Sequence, residues 1–458
     1  MTSARSSMHH FVRSSGVMAM LYLASTGLTF LVGIVLARML GASGYGVYAL
    51  AMTTATLAGM VTEFGLPVLA MREVGAARAH GEWGELRGLL HWADRAIIGL
   101  SLILFIGTWG GYFLLFRDSS SDYLAALLWA VLLIPVVALG KLRSFVLLAL
   151  DRVFSSQFPV MVLRPALFIA GCLGVYWFEG SLRPDTAMAV QTGGATIAML
   201  IIVTLFRRHR PAALASAPRV MAVHSWLSAC LPMGMTEGLR LLQGQLGLIL
   251  IGLLSTTAQA GIYRVADAVT QITALFGSVV ATAATPMFGR LWNAGDHAAI
   301  QRIAVLAAWV MVGGSLLLGL PLALLGHWIF PLVFGAEFAA SVPVFALLWA
   351  GVVLASTFGL VFALANMAGQ HVLATQSLGV IALANLVFGG LLIPDSGAIG
   401  AATASIVAWL CGLLFCTIRF KRRTGMNASV YSPATATLLR DAYHYLRPRF
   451  PGSQTGLE

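Results

Sequence analysis

The sequence predicts an all-α integral membrane protein of about 12 transmembrane helices, in two six-helix lobes related by a parallel pseudo-two-fold repeat around a central cavity. Three observations lead there. The chain of 458 residues is 59% hydrophobic and only 10% charged, with a mean hydropathy of +0.87, more apolar surface than a soluble core of this size can hide. Its apolar stretches are long enough to cross a bilayer. The tract Gly46-Val-Tyr-Ala-Leu-Ala51 returns as Gly261-Ile-Tyr-Arg-Val-Ala266, the mark of a duplicated bundle, which is a common architecture of transporters.

Twelve stretches of membrane length follow one another: 16–38, 45–66, 88–116, 122–150, 155–178, 184–206, 226–254, 258–285, 300–326, 339–368, 371–393 and 397–418. They are continuous and lack apolar/polar alternation, so they read as helices rather than barrel strands. Met1 to Ser15 with the apolar run after it looks like a secretory signal. The run is too long and lacks a small-residue cleavage site, so it reads as an uncleaved first span.

Lys and Arg near span ends resist translocation and so set orientation. With the N-terminus cytoplasmic, 19 of the 28 Lys and Arg fall on the cytoplasmic side, including Arg72, Arg78, Arg87, Arg207, Arg208 and Arg210. Three fall opposite: Arg38, Arg117 and Arg183. Both termini are therefore expected in the cytoplasm, and the formal net charge of +11 is accounted for by this asymmetry, with no nucleic-acid partner implied. Cys172, Cys230, Cys411 and Cys416 lie inside spans and read as small buried hydrophobes, so neither a disulfide framework nor a metal site is implied.

The polar interruption with Pro211 and Pro218 divides the spans six and six. The expected organisation is an N-terminal lobe 1–206, a cytoplasmic linker 207–225, a C-terminal lobe 226–419 and a basic cytoplasmic tail 420–458. The repeat keeps an offset of 215 through Gly46/Gly261, Tyr48/Tyr263, Ala51/Ala266, Ala79/Ala294, Arg87/Arg302, Val146/Val361 and Asp151/Asn366. Six being even, the second copy re-enters the membrane in the same sense, which makes the repeat parallel.

The stretch Leu36-Ala-Arg-Met-Leu-Gly-Ala-Ser-Gly-Tyr-Gly-Val-Tyr-Ala-Leu-Ala51 resembles the first-loop signature of the bacterial polysaccharide (O-antigen) flippase family. Three further stretches fit in order: Thr62-Glu-Phe-Gly-Leu-Pro67 with Arg72-Glu73, Phe334-Gly-Ala-Glu-Phe-Ala-Ala-Ser-Val-Pro343, and Gly397-Ala-Ile-Gly-Ala-Ala-Thr-Ala404. The family belongs to the multidrug/oligosaccharidyl-lipid/polysaccharide exporter superfamily, whose members have two six-helix lobes. The resemblance implies a flippase that moves a polyprenyl-diphosphate-linked oligosaccharide from the cytoplasmic to the periplasmic leaflet of a bacterial inner membrane, by alternating access. Membrane lipids would be its surroundings, and a polymerase and other polysaccharide-assembly proteins its partners. Family members often carry an acidic residue in the seventh span; here that stretch reads Gln243-Gly-Gln-Leu-Gly247, so no ion-coupling role is carried onto it.

Moving a sugar diphosphate through lipid breaks no bond. It needs a hydrated cavity with cations for the phosphates, and intramembrane charges are costly unless they face such a cavity or a partner. Six cations fall inside spans, Arg95, Lys141, Arg143, Arg164, Arg240 and Arg264, against four acids, Glu63, Asp94, Glu237 and Asp267. Glu237/Arg240 and Arg264/Asp267 are three apart and share helix faces, serving either as self-neutralised pairs or in substrate and proton handling. Asp94 and Arg95 lie near a span end and are expected to snorkel. Arg164, followed by Pro165, has no carboxylate three or four positions away, and the missing proline amide frees a carbonyl that cavity water can satisfy. Lys141 and Arg143 are likewise unpaired locally, with headgroup contact the alternative reading for all three. The substrate-binding candidates are therefore Arg164, Arg143, Lys141, Arg240 and Arg264, and the ion-coupling candidates Glu237, Asp267 and Glu63. On this reading the diphosphate is held mainly by the uncompensated cations of the first copy. Polar residues such as Thr26, Gln191, Gln271, Asn366 and Asn385 either line a sugar path or bond neighbouring helices. Trp83, Trp226 and Trp292 read as interface anchors.

No catalytic residue or cofactor is expected. Lys141, preceded by Gly140, is followed by Leu142, so no phosphate loop is present, and no His-Glu-x-x-His occurs. The alternatives are a multidrug/cation exporter, which would want an acidic cavity, and a lipid II flippase, for which two more spans would be expected. A membrane polymerase or ligase is the alternative of another class. It would need a large periplasmic loop, and the longest expected here is about 327–338.

Overall fold

The computed structural model describes residues 2–115, 122–426 and 429–430, and among these the chain is helical, without strands. Arg117, Tyr431, Tyr443, Tyr445 and most of the tail, including Arg440, Arg447 and Arg449, lie outside the described residues. In chain order the helices are α1 (Thr2–Glu63), α2 (Leu66–His80), α3 (Trp83–Leu115), α4 (Asp122–Ala149), α5 (Val153–Phe158), α6 (Arg164–Glu179), α7 (Pro184–His209), α8 (Ala212–Ser216), α9 (Val223–Leu254) and α10 (Thr257–Thr273). There follow α11 (Leu275–Asn293), α12 (His297–Leu324), α13 (Gly326–Phe334), α14 (Ser341–Thr357), α15 (Val361–Met367) and α16 (His371–Thr424).

Nine described helices are long and apolar enough to cross a membrane, or ten if the bent pair α10 and α11 counts as one span. Helix α1 would run to about 90 Å if straight, three times the hydrocarbon thickness. It is instead broken at Gly41, as α16 is at Gly397. Both glycines take positive φ (67° and 53°), open to glycine without steric cost. The expected first and second stretches thus fall on the two sides of one break, and the eleventh and twelfth about the other.

The chain forms two compact units. The first comprises Met1–Val269, Leu325–Phe345 and Asn385–Ala404. Within it α4 packs on α1, α2, α3 and α7, around a core that includes Leu69, Leu86, Ala93, Leu142 and Leu147. The second comprises Thr270–Leu324, Ala346–Ala384 and Ser405–Glu458. There α11 packs on α12 and α15, around Phe288, Ala304, Leu364, Cys416 and Phe420. The Val430 amide donates to the Thr357 carbonyl, so the start of the tail is fastened to this unit.

Several elements depart from the expectation. The segment between the second and third expected spans is helical: α2 buries Leu66, Leu69, Ala70, Val74 and Ala77, a spacing of threes and fours that makes one helical face. Gly65 (φ 78°) and Pro67 start it and Gly81 (φ 78°) ends it. The expected loop at 327–338 holds α13, with Phe330 and Phe334 buried, and a 3-10 turn at Ala336–Ala340. Trp226 is no interface anchor. It is buried and lies 5.7 Å, centroid to centroid, from Trp92. Cys172, Cys230 and Cys416 are buried thiols, as expected of small hydrophobes.

Candidate functional site

The repeated glycines meet. A Cβ on Gly46 would stand 1.7 Å from the Thr257 carbonyl oxygen, and one on Gly261 would stand 2.0 Å from that of Ala42. Thr257 lies 215 residues beyond Ala42, the same offset that relates Gly261 to Gly46, so the two contacts are repeat images of each other. Only glycine allows two helix backbones so close. Around this crossing Ser43 and Thr257 share a hydroxyl hydrogen bond of 3.0 Å, and Glu337 accepts from the Ala42 amide at 2.8 Å. Arg38 donates to the carbonyls of Leu332 and Val333. At the other broken helix Gln259 accepts from the Ala398 amide at 3.0 Å.

Beside the crossing, wholly within the first unit, lies a cavity of about 370 Å³. The first arm of α1 contributes Ser25, Thr29 and Gly33, and the second Tyr45, Tyr48, Ala49, Thr53 and Thr56. Arg164, Gln191, Gln245 and Arg264 complete its polar wall, and no Asp or Glu is among the lining residues. Thr53 donates to Gln245 at 3.2 Å, and Tyr48 stacks on Phe168, which also lines the cavity, at 5.9 Å. Ala49 and Arg264, and likewise Thr53 and Ala268, are repeat equivalents 215 apart, and all four line this cavity.

Arg164 reaches the cavity through a local defect. Between α5 and α6 the residues Pro159–Leu163 form a π-helical turn, in which the Arg164 amide donates to the Pro159 carbonyl five residues back. Such bulges insert one residue into a helix and recur at functional sites; here the turn is framed by Pro159 and Pro165, neither of which can donate to the ladder. Among the described residues Arg164 makes no salt bridge, and its buried Nε has no hydrogen-bond partner. Arg164 lines this polar cavity, and a guanidinium without a salt bridge at such a wall is suited to pair with an anion.

The other candidates divide. Arg264 pairs with Asp267 at 3.1 Å and Arg240 with Glu237 at 2.7 Å, as their spacing predicts. Arg264 lines the cavity with Arg164, whereas Arg240 and Glu237 do not. Lys141 and Arg143 are not uncompensated. Lys141 pairs with Glu63 at 2.6 Å, and Arg143 pairs with Asp94, stacking over Phe206. Asp94 is thus a partner rather than a snorkelling group, and of the three first-copy candidates Arg164, Arg143 and Lys141 only Arg164 is without a salt bridge among the described residues. Both partners lie on other helices, 78 and 49 residues away, beyond any search of the same helix face.

The Lys141–Glu63 pair leaves Glu63 with 13% and Lys141 with 34% of its side chain accessible. Glu63→Gln strands the lysine and should cost on the order of 1–3 kcal/mol, less than a fully buried pair because Lys141 keeps contact with solvent. The double substitution Glu63→Gln with Lys141→Met should recover most of that loss. Thermal unfolding of the purified protein in detergent reads the difference; a double variant no more stable than Glu63→Gln alone would rule out the pair as the cause.

Sequence reasoning missed Tyr45, Tyr48, Thr53 and Gln245 as lining residues. The signal was there, because 45, 48, 49, 52, 53 and 56 fall at helical spacing on one face that mixes aromatic and hydroxyl groups. Gln191, one of several polar span residues, is in the cavity, whereas Thr26 bonds the Tyr22 carbonyl of its own helix.

A family model described as polysaccharide biosynthesis protein matches residues 11–292. A search of curated proteins gives no match. Among solved structures the chain is similar to the lipid II flippase MurJ in an inward closed conformation, with a TM-score of 0.71 at 13% identity, covering 88% of this chain and 87% of that one. It is also similar to an inward-facing multidrug resistance MATE family transporter of the MOP superfamily (TM-score 0.70, 14% identity, 88% and 95% covered). A third likeness is to the MATE multidrug transporter DinF-BH (TM-score 0.58, 17% identity, 91% and 95% covered). At these identities the likeness is one of fold, the two-lobe helical fold of these transporters.

Proposed function

Since the chain belongs to the polysaccharide biosynthesis protein family and has the fold of flippases and exporters, we propose that it flips a polyprenyl-diphosphate-linked oligosaccharide across the bacterial inner membrane. The product would feed O-antigen or exopolysaccharide assembly, with a polymerase acting after it. The observation that carries this reading is the cavity in which Arg164 and Arg264 stand among threonines, tyrosines and glutamines, without a lining carboxylate. Two guanidiniums suit a diphosphate; hydroxyls and amides suit sugar. Neither suits a cationic drug, whose site would hold acids.

In this reading both termini and the linker 207–225 are cytoplasmic, and the lobes 1–206 and 226–419 rock about the substrate, with the tail 420–458 on the cytoplasmic side. The crossing of Gly46 and Gly261 then lies at the periplasmic end, and its tight packing is a closed outer gate. Nothing in the mechanism breaks a covalent bond. The protein replaces the solvation that the diphosphate and sugars lose, then exchanges one closed end for the other. Glu63, Glu237 and Asp267 remain the carboxylates through which a proton or sodium gradient would bias that exchange.

Reconstitution in liposomes tests the proposal. A labelled polyprenyl-diphosphate oligosaccharide should become accessible in the opposite leaflet only with protein present, and faster with an imposed proton or sodium gradient. No movement of any such lipid, with uptake of an amphiphilic cation instead, would transfer the protein to the multidrug exporters.

A further inference from the structure

Arg164 and Val160, one on each side of the π-turn boundary, line a second cavity as well as the first. This second space, of about 190 Å³, lies within the same unit between α4, the α5–α6 helix and α7. Its wall is mostly apolar: Val136, Val137, Phe145, Ala198, Met199 and Ile202. Of its polar members, Lys141 is held by Glu63 and the Ser144 hydroxyl donates to the Ser156 carbonyl, while Gln157 also lines the space. What it offers a ligand is mostly hydrocarbon surface, with Gln157 in its wall and, at its edge, Arg164, which makes no salt bridge among the described residues.

The order of surfaces is therefore polar chamber, unpaired cation, apolar chamber. Few ligands have that order of chemistry. We propose that the second cavity receives the first isoprenoid units of the translocated lipid, so that the diphosphate sits at Arg164 with its sugar in the first cavity and its lipid in the second. This deepens the flippase reading and rests on it. It makes Arg164 a junction that recognises where sugar phosphate ends and hydrocarbon begins. Branched prenyl methyl groups fit a wall of valine, methionine and isoleucine, and the π-helical turn is what brings Val160 and Arg164 to the boundary of both spaces. A phospholipid acyl chain is the competing occupant, because it too joins hydrocarbon to phosphate.

The test uses the full chain in nanodiscs and farnesyl diphosphate carrying a diazirine on its first isoprene unit. Photolysis and peptide mapping should place the label on residues 136–145 of α4 and 195–202 of α7. Unlabelled polyprenyl-diphosphate oligosaccharide should displace it, whereas added phosphatidylglycerol should not. Ala198→Leu, which fills the second cavity, should lower labelling at least tenfold; the wild-type map decides the matter if that variant fails to fold. Label on other helices, label unchanged in folded Ala198→Leu, or displacement by phosphatidylglycerol would each overturn the inference. If these occur while the oligosaccharide lipid is still translocated in liposomes, the flippase reading survives; loss of that translocation is what removes the reading itself.

Discussion

Replacing Arg164 by alanine should abolish translocation while leaving the protein folded in the membrane. The two halves of that statement have the same cause. Because Arg164 makes no salt bridge among the described residues, its removal strands no carboxylate, in contrast to Lys141 and Arg143, whose loss would leave the partly buried Glu63 and Asp94 without these partners. On the proposed reading, what Arg164→Ala removes is charge-assisted hydrogen bonding to the diphosphate, worth about 1.5–3 kcal/mol, or roughly a 10- to 100-fold loss of affinity for the lipid-linked oligosaccharide. Arg164→Lys should restore part of it, since a lysine keeps the charge but not the planar fork. Equilibrium binding and liposome flux measure the two consequences. A folded Arg164→Ala variant with full flux would sink the assignment.

Gly46→Leu should have the second large effect, and by a different route. Even its Cβ would lie 1.7 Å from the Thr257 carbonyl oxygen. That atom is backbone and cannot rotate away, so the two helices must part. Overpacking of this kind costs roughly 1–3 kcal/mol, enough to move a two-state equilibrium about tenfold or more away from the closed arrangement. Cysteines at positions 43 and 257, whose native hydroxyls are 3.0 Å apart, report the separation. Ser43→Cys with Thr257→Cys should cross-link readily in an otherwise native chain and poorly with Gly46→Leu added. Flux should fall with the cross-link yield. Equal cross-linking in both backgrounds would mean that the crossing tolerates the leucine.

The membrane-length helices, the duplication and the self-paired charges of α9 and α10 were legible in the sequence because each rests on local spacing: hydrocarbon length, a constant offset, three residues along one helix. The break points were legible too, as Gly41 and Gly397 stand within the stretches that carry the family resemblance. What stayed hidden depends on contacts across the chain. No reading of α4 alone connects Lys141 to Glu63 or Arg143 to Asp94. Trp226 looks like an anchor until Trp92 is found against it. The cavity is legible only in fragments, because it takes one face from each arm of α1, three residues from α6, two from α10 and one each from α7 and α9. Arg164 stands out in the sequence because absence of a local partner and a neighbouring proline are both local facts, and among the described residues it has no salt-bridge partner on another helix either.

The glycine crossing has a consequence for how the chain tolerates change. Gly46 fits beneath Thr257 as Gly261 fits beneath Ala42, so each copy of the motif is both plug and socket to the other. This is the geometry of an isologous dimer interface, here enclosed in one polypeptide. Such a surface is self-matched, and its two glycines behave as one determinant rather than two. Enlarging either should open the same seam, so the double substitution should cost much less than the sum of the singles. The two positions are thereby bound to a shared fate, even as their neighbours Ala49 and Arg264 have been left free to diverge into a neutral wall and a charged one.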